Sequence, residues 1–348
     1  MRQYLSELVG NAALRARIGE DIASGSFSHA YILEGDEGSG KHTLARAIAM
    51  SLACENRQND AEPLPCGHCK SCRKIAAGNC PDILRVTREK DRATMGVDVI
   101  RELRTNVPVL PNDLEFKVYL IEEAHLMTPQ AQNAFLLTLE EPPAFVLFLL
   151  LANDADALLE TVRSRAPVLR MQPVDDATIS SYLLSPDRPA IARATKALRE
   201  QAPEDFAALL RMSDGRIGHA LTLLEEKKRA PLLARRETAE RVCELLARGY
   251  GGTELLSLLY TFDKSREEAT ARISCIRDAL RDLLALALSD TAPLTFFTNR
   301  EKAEDLSSCF TPASILTRIK ATNEALDALS INANVRLTLT KYHYCLTA

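Results

Sequence analysis

Lys41 stands in the stretch GDEGSGKHT, residues 35–43, which follows the apolar run AYIL and precedes LARAIAM. A strand that feeds a glycine-rich turn and then opens a helix aims backbone N–H groups and the positive helix end at one point, an arrangement that cradles phosphate. Gly35, Gly38 and Gly40 allow the close approach, and the Lys41 ammonium can reach a terminal phosphate. The next position is normally Ser or Thr, whose hydroxyl holds Mg²⁺. Here it is His42, a larger nitrogen donor, and Thr43 is one place out of register. The motif therefore favours binding of ATP or ADP over Mg²⁺-assisted hydrolysis.

KVYLIEEAH, residues 117–125, reads as a buried strand that ends in acids, the other half of a nucleotide-hydrolysing site. Such strands usually end Asp-Glu, the Asp helping to hold Mg²⁺ and the Glu orienting the attacking water. In this chain the pair is Glu122-Glu123, and the Glu122 carboxylate stands one methylene further out, a displacement that catalytic geometry tolerates poorly. Glu123 is the candidate for the water-orienting role. Asn153, directly after the apolar run AFVLFLLLA, joins the candidate nucleotide set.

A second kind of chemistry lies in CENRQNDAEPLPCGHCKSCRK. Cys66, Cys69 and Cys72 form C-x₂-C-x₂-C, with Cys54 twelve residues before the first of them. Four thiolates satisfy a tetrahedral Zn²⁺ that holds a module together and keeps no open position for catalysis. A redox or iron–sulfur role is the alternative. His68 and Cys80 are read as bystanders, and Cys243, Cys275, Cys309 and Cys345 as small hydrophobes.

The elements that must position these groups change character in three steps. Up to residue 172, short apolar runs such as HAYILEG, FKVYLIEE and FVLFLLLA alternate with helical patterns, as in a parallel sheet covered by helices. Residues 173–225 read as a small helical lid. From residue 226 onward apolar residues recur at i, i+3, i+4 and i+7, the stripe of packed helices. The chain has 348 residues, 46% of them hydrophobic and 26% charged, enough for two or three domains. A formal charge of −4 excludes the global basic field of a stand-alone nucleic-acid binder. The start MRQYLSELVG has no apolar signal core, and no apolar run is long enough to span a bilayer, so the expected location is cytoplasmic.

Taken together, the phosphate loop, the Cys₄ insertion after its helix, GVDVIREL, KVYLIEEAHLMTPQAQNAFLLTLEEPP and TVRSRA resemble the bacterial clamp-loader subunits of the DNA polymerase III holoenzyme, members of the AAA+ group. The likeness covers residues 5 to 225. It implies an α/β plus all-α chain: a RecA-like AAA+ P-loop domain (1–172) with a zinc module at about 54–80, a lid (173–225) and a helical collar (226–348). It implies a pentameric ring of gamma/tau and delta subunits that loads a sliding clamp on primer-template DNA, with polymerase chemistry belonging to the complex. It also implies that Arg165 of SRA, residues 164–166, acts in trans as an arginine finger on a neighbour's nucleotide.

Within that family the departures lean away from the hydrolysing gamma/tau motor and toward the delta-prime kind, whose own ATPase is weak or absent. The family's lid motif GSLRDAL reads GRIGHAL here, with Gly218 at the arginine's place. Arg216 would point about 200° elsewhere on a helix. The Lys that usually precedes TLEEPP is Leu137. The readings weighed against this are a motor subunit, an autonomous ATPase and a zinc-dependent DNA-binding module.

Overall fold

The computed structural model describes residues 2–249 and 252–347; Met1, Tyr250, Gly251 and Ala348, which fall within stretches read above, lie outside the described residues. Two compact units emerge, one of residues 1–182 with 215–219, the other of residues 183–214 with 220–348.

The first unit is built on β1 (Ala30–Glu34), β2 (Ile83–Val86), β3 (Lys117–Ile121), β4 (Val146–Ala152) and β5 (Val168–Arg170), all parallel, in the order β2-β3-β4-β1-β5. Its helices are α1 (Ala12–Ser24), α2 (Lys41–Leu52), α3 (Lys70–Ala76), α4 (Val97–Asn106), α5 (Pro129–Glu140) and α6 (Glu160–Arg163), with α7 (Asp176–Leu183) at its end. β4 is buried at all seven positions, which explains why its sequence, VLFLLLA, does not alternate. The period of two instead divides side chains between faces. Tyr31, Leu33, Leu147, Leu149 and Leu151 pack with Ile18, Leu44 and Ile48 of α1 and α2. Ile32, Tyr119, Ile121, Phe148 and Leu150 pack with Ile100 and Leu103 of α4 and with Phe135 of α5. Because every strand is parallel, the segments that follow β1, β3 and β4 leave the sheet on one side, where ligands of open α/β sheets bind.

Among the described residues no strand follows Arg170. The remaining helices are α8 (Pro189–Gln201), α9 (Pro203–Ser213), α10 (Ile217–Leu223), α11 (Glu226–Ala247), α12 (Thr253–Tyr260), α13 (Arg266–Leu288), α14 (Arg300–Ser308), α15 (Pro312–Ser330) and α16 (Val335–Thr347). The second unit has its own core, in which Val242, Phe262, Ile276, Leu280, Phe297, Ile315 and Tyr342 are buried together. Asp282 organises the turn after α13, its carboxylate accepting hydrogen bonds from the Thr295, Phe296 and Phe297 amides at 2.8–3.1 Å. No helix among the described residues is long and apolar enough to cross a membrane.

Glu268, in the first turn of α13, accepts hydrogen bonds from Arg235 Nε at 3.1 Å and Arg272 Nε at 2.7 Å. These guanidinium partners hold its carboxyl down to about 2 from the ordinary 4.5. A carboxyl whose folded value is depressed contributes stability above its unfolded value and loses it as pH falls. This contribution is therefore complete above 4.5 and fades toward about 2. In urea unfolding across that window, Glu268→Gln is expected to flatten the acid slope of the midpoint. An unchanged slope would show that the ion pairs carry no pH dependence.

Candidate functional site

The loop after β1 turns through Gly38 and Gly40, whose φ angles of +80° and +102° are left-handed and natural only for glycine. Lys41 opens α2 and is buried. Its Nζ donates to the carbonyl oxygens of Gly35 and Asp36 and, at 2.8 Å, to Asn153 Oδ1. The lysine and Asn153, 112 positions apart, thus meet as the strand order requires. Burial pulls the Lys41 ammonium below its usual range, against the opposing pull of Asp36 and Glu37. The ammonium is satisfied by its own chain, and a phosphate would have to displace those oxygens.

At the end of β3 the two acids are also held by cations. Glu122 is ion-paired with Arg85 of β2 and lies 3.5 Å from His42 Nε2. The parallel register sets Arg85 beside Leu120, so Glu122, two residues on and on the same face, comes within the guanidinium's reach. Glu123 accepts from Arg88 Nε at 2.9 Å and has a left-handed φ of +48°. Behind them the backbone N–H of Asn153 donates to His125 Nδ1 at 3.3 Å. Burial lowers the His125 imidazole below 6.5, which keeps it neutral and able to accept. Arg85 and Arg88 escape a motif reading, because their roles come from register. The only sequence signal was a charge inside the short apolar run ILRV.

The segment Gly215–His219 returns to the phosphate loop. The Gly218 amide donates to the Gly38 carbonyl at 2.9 Å. A Cβ at Gly218 would lie 2.7 Å from Gly38 Cα, and one at Gly38 would lie 2.6 Å from the His219 nitrogen. Neither position admits a side chain while this contact exists. The helical-wheel expectation for Arg216 needs correction. α10 begins at Ile217, so Arg216 precedes the helix, and its guanidinium lies 3.7 Å from Asp36 of the loop.

Arg165 follows α6. It donates to the Thr161 carbonyl at 2.9 Å and to Glu140 Oε1 at 2.7 Å, which joins SRA to the first Glu of TLEEPP. Its neighbours are paired elsewhere, Arg163 with Asp156 and Arg170 with Glu34. Ala166 is fully buried, so that position packs.

The four cysteines come together on the far end of α2. Their sulfurs all lie within 4.8 Å of one another. The Cys66 and Cys72 sulfurs are 4.0 Å apart, against an edge of about 3.8 Å for a tetrahedron with Zn–S bonds of about 2.3 Å. The Cys69 amide donates to the Cys66 sulfur and the Cys72 amide to the Cys69 sulfur, both at 3.4 Å. Burial pushes the Cys54 and Cys72 thiols up. A metal cation supplies the charge that lets such buried sulfurs ionise together, and the donor set fits one.

A family model described as DNA polymerase III, delta subunit, matches residues 10–175. The chain is 34% identical over 181 residues to a DNA polymerase III subunit gamma of Buchnera aphidicola, covering 52% of this chain and 48% of that protein. It is 30% identical over 261 residues to the DNA polymerase III subunit delta' of Escherichia coli, covering 75% of this chain and 71% of the relative. The chain belongs to the clamp-loader AAA+ subunits of DNA polymerase III. It spans about half the length, or less, of the gamma and tau relatives it matches. As a clamp-loader subunit of the AAA+ fold, it carries a parallel sheet with a glycine-rich loop after β1 and a cysteine cluster that could hold a metal.

Proposed function

We propose that this chain is the delta-prime subunit of a clamp loader. It takes its place with gamma/tau and delta subunits in a pentameric ring that loads the sliding clamp on primer-template DNA in the cytoplasm. In this reading residues 1–172 are the AAA+ domain, 173–225 the lid and 226–348 the collar that joins the ring. Cys54, Cys66, Cys69 and Cys72 hold one structural Zn²⁺.

The observation that carries the reading is the contact of Gly218 with Gly38. A motor subunit needs a lid cation facing the γ-phosphate, and here the corresponding backbone rests on the loop with no room for a side chain. The ion pairs of Glu122 with Arg85 and of Glu123 with Arg88 support it, since acids engaged by guanidinium groups are poor partners for Mg²⁺ and water. Gly35, Gly38, Gly40, Lys41, His42, Thr43 and Asn153 would then retain ATP or ADP at most.

The gamma/tau-like motor is the second reading, favoured by the intact GxxxxGK spelling. Turnover by the purified chain separates the two. The delta-prime reading expects hydrolysis far below the order of 1 s⁻¹, and little loss of clamp loading in Lys41→Ala. Motor-like hydrolysis by the isolated protein, abolished by Lys41→Ala, would replace it with the second.

A further inference from the structure

His68, set aside as a bystander on spacing alone, belongs to a second group of donors. One oxygen of Glu62, the sulfur of Cys66 and one ring nitrogen of His68 lie within 4.8 Å of one another. His68 Nδ1 is 3.0 Å from the Cys66 carbonyl oxygen, a contact in which this nitrogen carries the proton. Nε2 then keeps its lone pair, the tautomer and support typical of a metal-binding imidazole. Nε2 lies 3.5 Å from Glu62 Oε2, and the Asn56 side-chain amide donates to that same oxygen at 2.8 Å.

The frame around these donors is fixed. Arg2, whose side chain is 5% exposed, donates to the carbonyl oxygens of Asn56, Arg57 and Glu62 at 2.9–3.2 Å and so pins both ends of the segment carrying Asn56 and Glu62. Gly67, at φ +74°, turns the chain between Cys66 and His68. As an ion pair alone, Glu62 and His68 would contribute little, because His68 is 65% exposed and solvent screens such exposed pairs.

Electrostatics adds a reason for a cation here. Four thiolates outweigh the charge of one divalent ion, so a filled Cys₄ site is a negative centre, and Glu62 adds to it. A zinc-bound thiolate keeps lone pairs that can bridge to another soft or borderline ion, for which imidazole and carboxylate are suitable further ligands.

We infer that Glu62, Cys66 and His68 form a second, solvent-facing site for a thiophilic divalent cation such as Zn²⁺ or Cd²⁺, with the Cys66 sulfur shared between the two ions. Three protein donors leave the fourth position to water, so this ion exchanges readily while the four-cysteine ion does not. The inference rests on the reading that the four cysteines hold the first ion.

The test is cadmium-113 NMR and metal counting on the full chain expressed in cadmium-containing medium. The expected result is two ions per chain. One resonance should be of the all-sulfur type and one of mixed nitrogen, oxygen and sulfur type, coupled through the shared sulfur. His68→Ala and Glu62→Gln should each lose the second ion and keep the first, and Asn56→Ala should weaken the second about tenfold. A single all-sulfur ion in the wild type, or a second ion that survives His68→Ala, overturns the inference and leaves the four-cysteine site standing. Absence of the all-sulfur resonance overturns both.

Discussion

Arg165→Ala, placed in an otherwise intact clamp-loader complex, is expected to cut DNA-stimulated ATPase by the share of one nucleotide site while the variant still folds, binds metal and assembles. An arginine supplied in trans can be worth about 10³ to 10⁵ in rate at the site it serves. In the isolated chain Arg165 is held by Glu140 and the Thr161 carbonyl, in a pair that is 35% and 45% exposed at its two side chains. Such a pair contributes about 0–1 kcal/mol, so a neighbour's triphosphate, with more charge and a matching geometry, can draw the guanidinium away. Arg165→Lys should fail to restore the rate, because an ammonium lacks the planar fork. Glu140→Gln should leave the rate intact or raise it. Steady-state phosphate release by the reconstituted complex is the measurement, and full turnover with Arg165→Ala would remove the trans role from this residue.

Cys69→Ser is expected to remove the zinc and unfold the module around it. Structural zinc supplies about 10–16 kcal/mol of apparent binding energy at neutral pH, as much as the whole stability of an ordinary domain at about 5–15 kcal/mol. Cys69 is also the N-cap of α3, its side chain accepting from the Cys72 amide. Serine is a good N-cap, so this substitution removes a metal ligand and spares the cap. The effect should spread, because Cys54, Cys69, Cys72, Leu64 and Ile75 share one apolar cluster with α2 and the sheet. Metal analysis, thermal melting and limited proteolysis would register the loss together. A variant without zinc that melts like the wild type would end the structural role, and wild-type protein prepared without chelator but lacking zinc would end the metal.

The parts of this molecule legible in the sequence are those whose cause is local. GDEGSGKH announces its loop because only glycine takes φ +80° and +102° cheaply, and a lysine one residue later must open the helix. The Cys-x₂-Cys-x₂-Cys knuckle brings three sulfurs together within seven residues, and unbroken apolar runs mark strands buried on both faces. Asn153 was legible as a member of the nucleotide set, whereas its hydrogen bond with Lys41 follows from the pairing of β1 with β4. What only the tertiary structure decided are the partners that alter the site's character. Arg85 reaches Glu122 through the register of β2 on β3, Glu140 takes Arg165 from 25 residues away, and Gly218 settles on Gly38 across 180 positions. No local preference encodes such pairs. Each depends on where separate elements come to rest when the apolar faces close, and a shift of one residue in a strand would send Arg85 to the opposite face of the sheet.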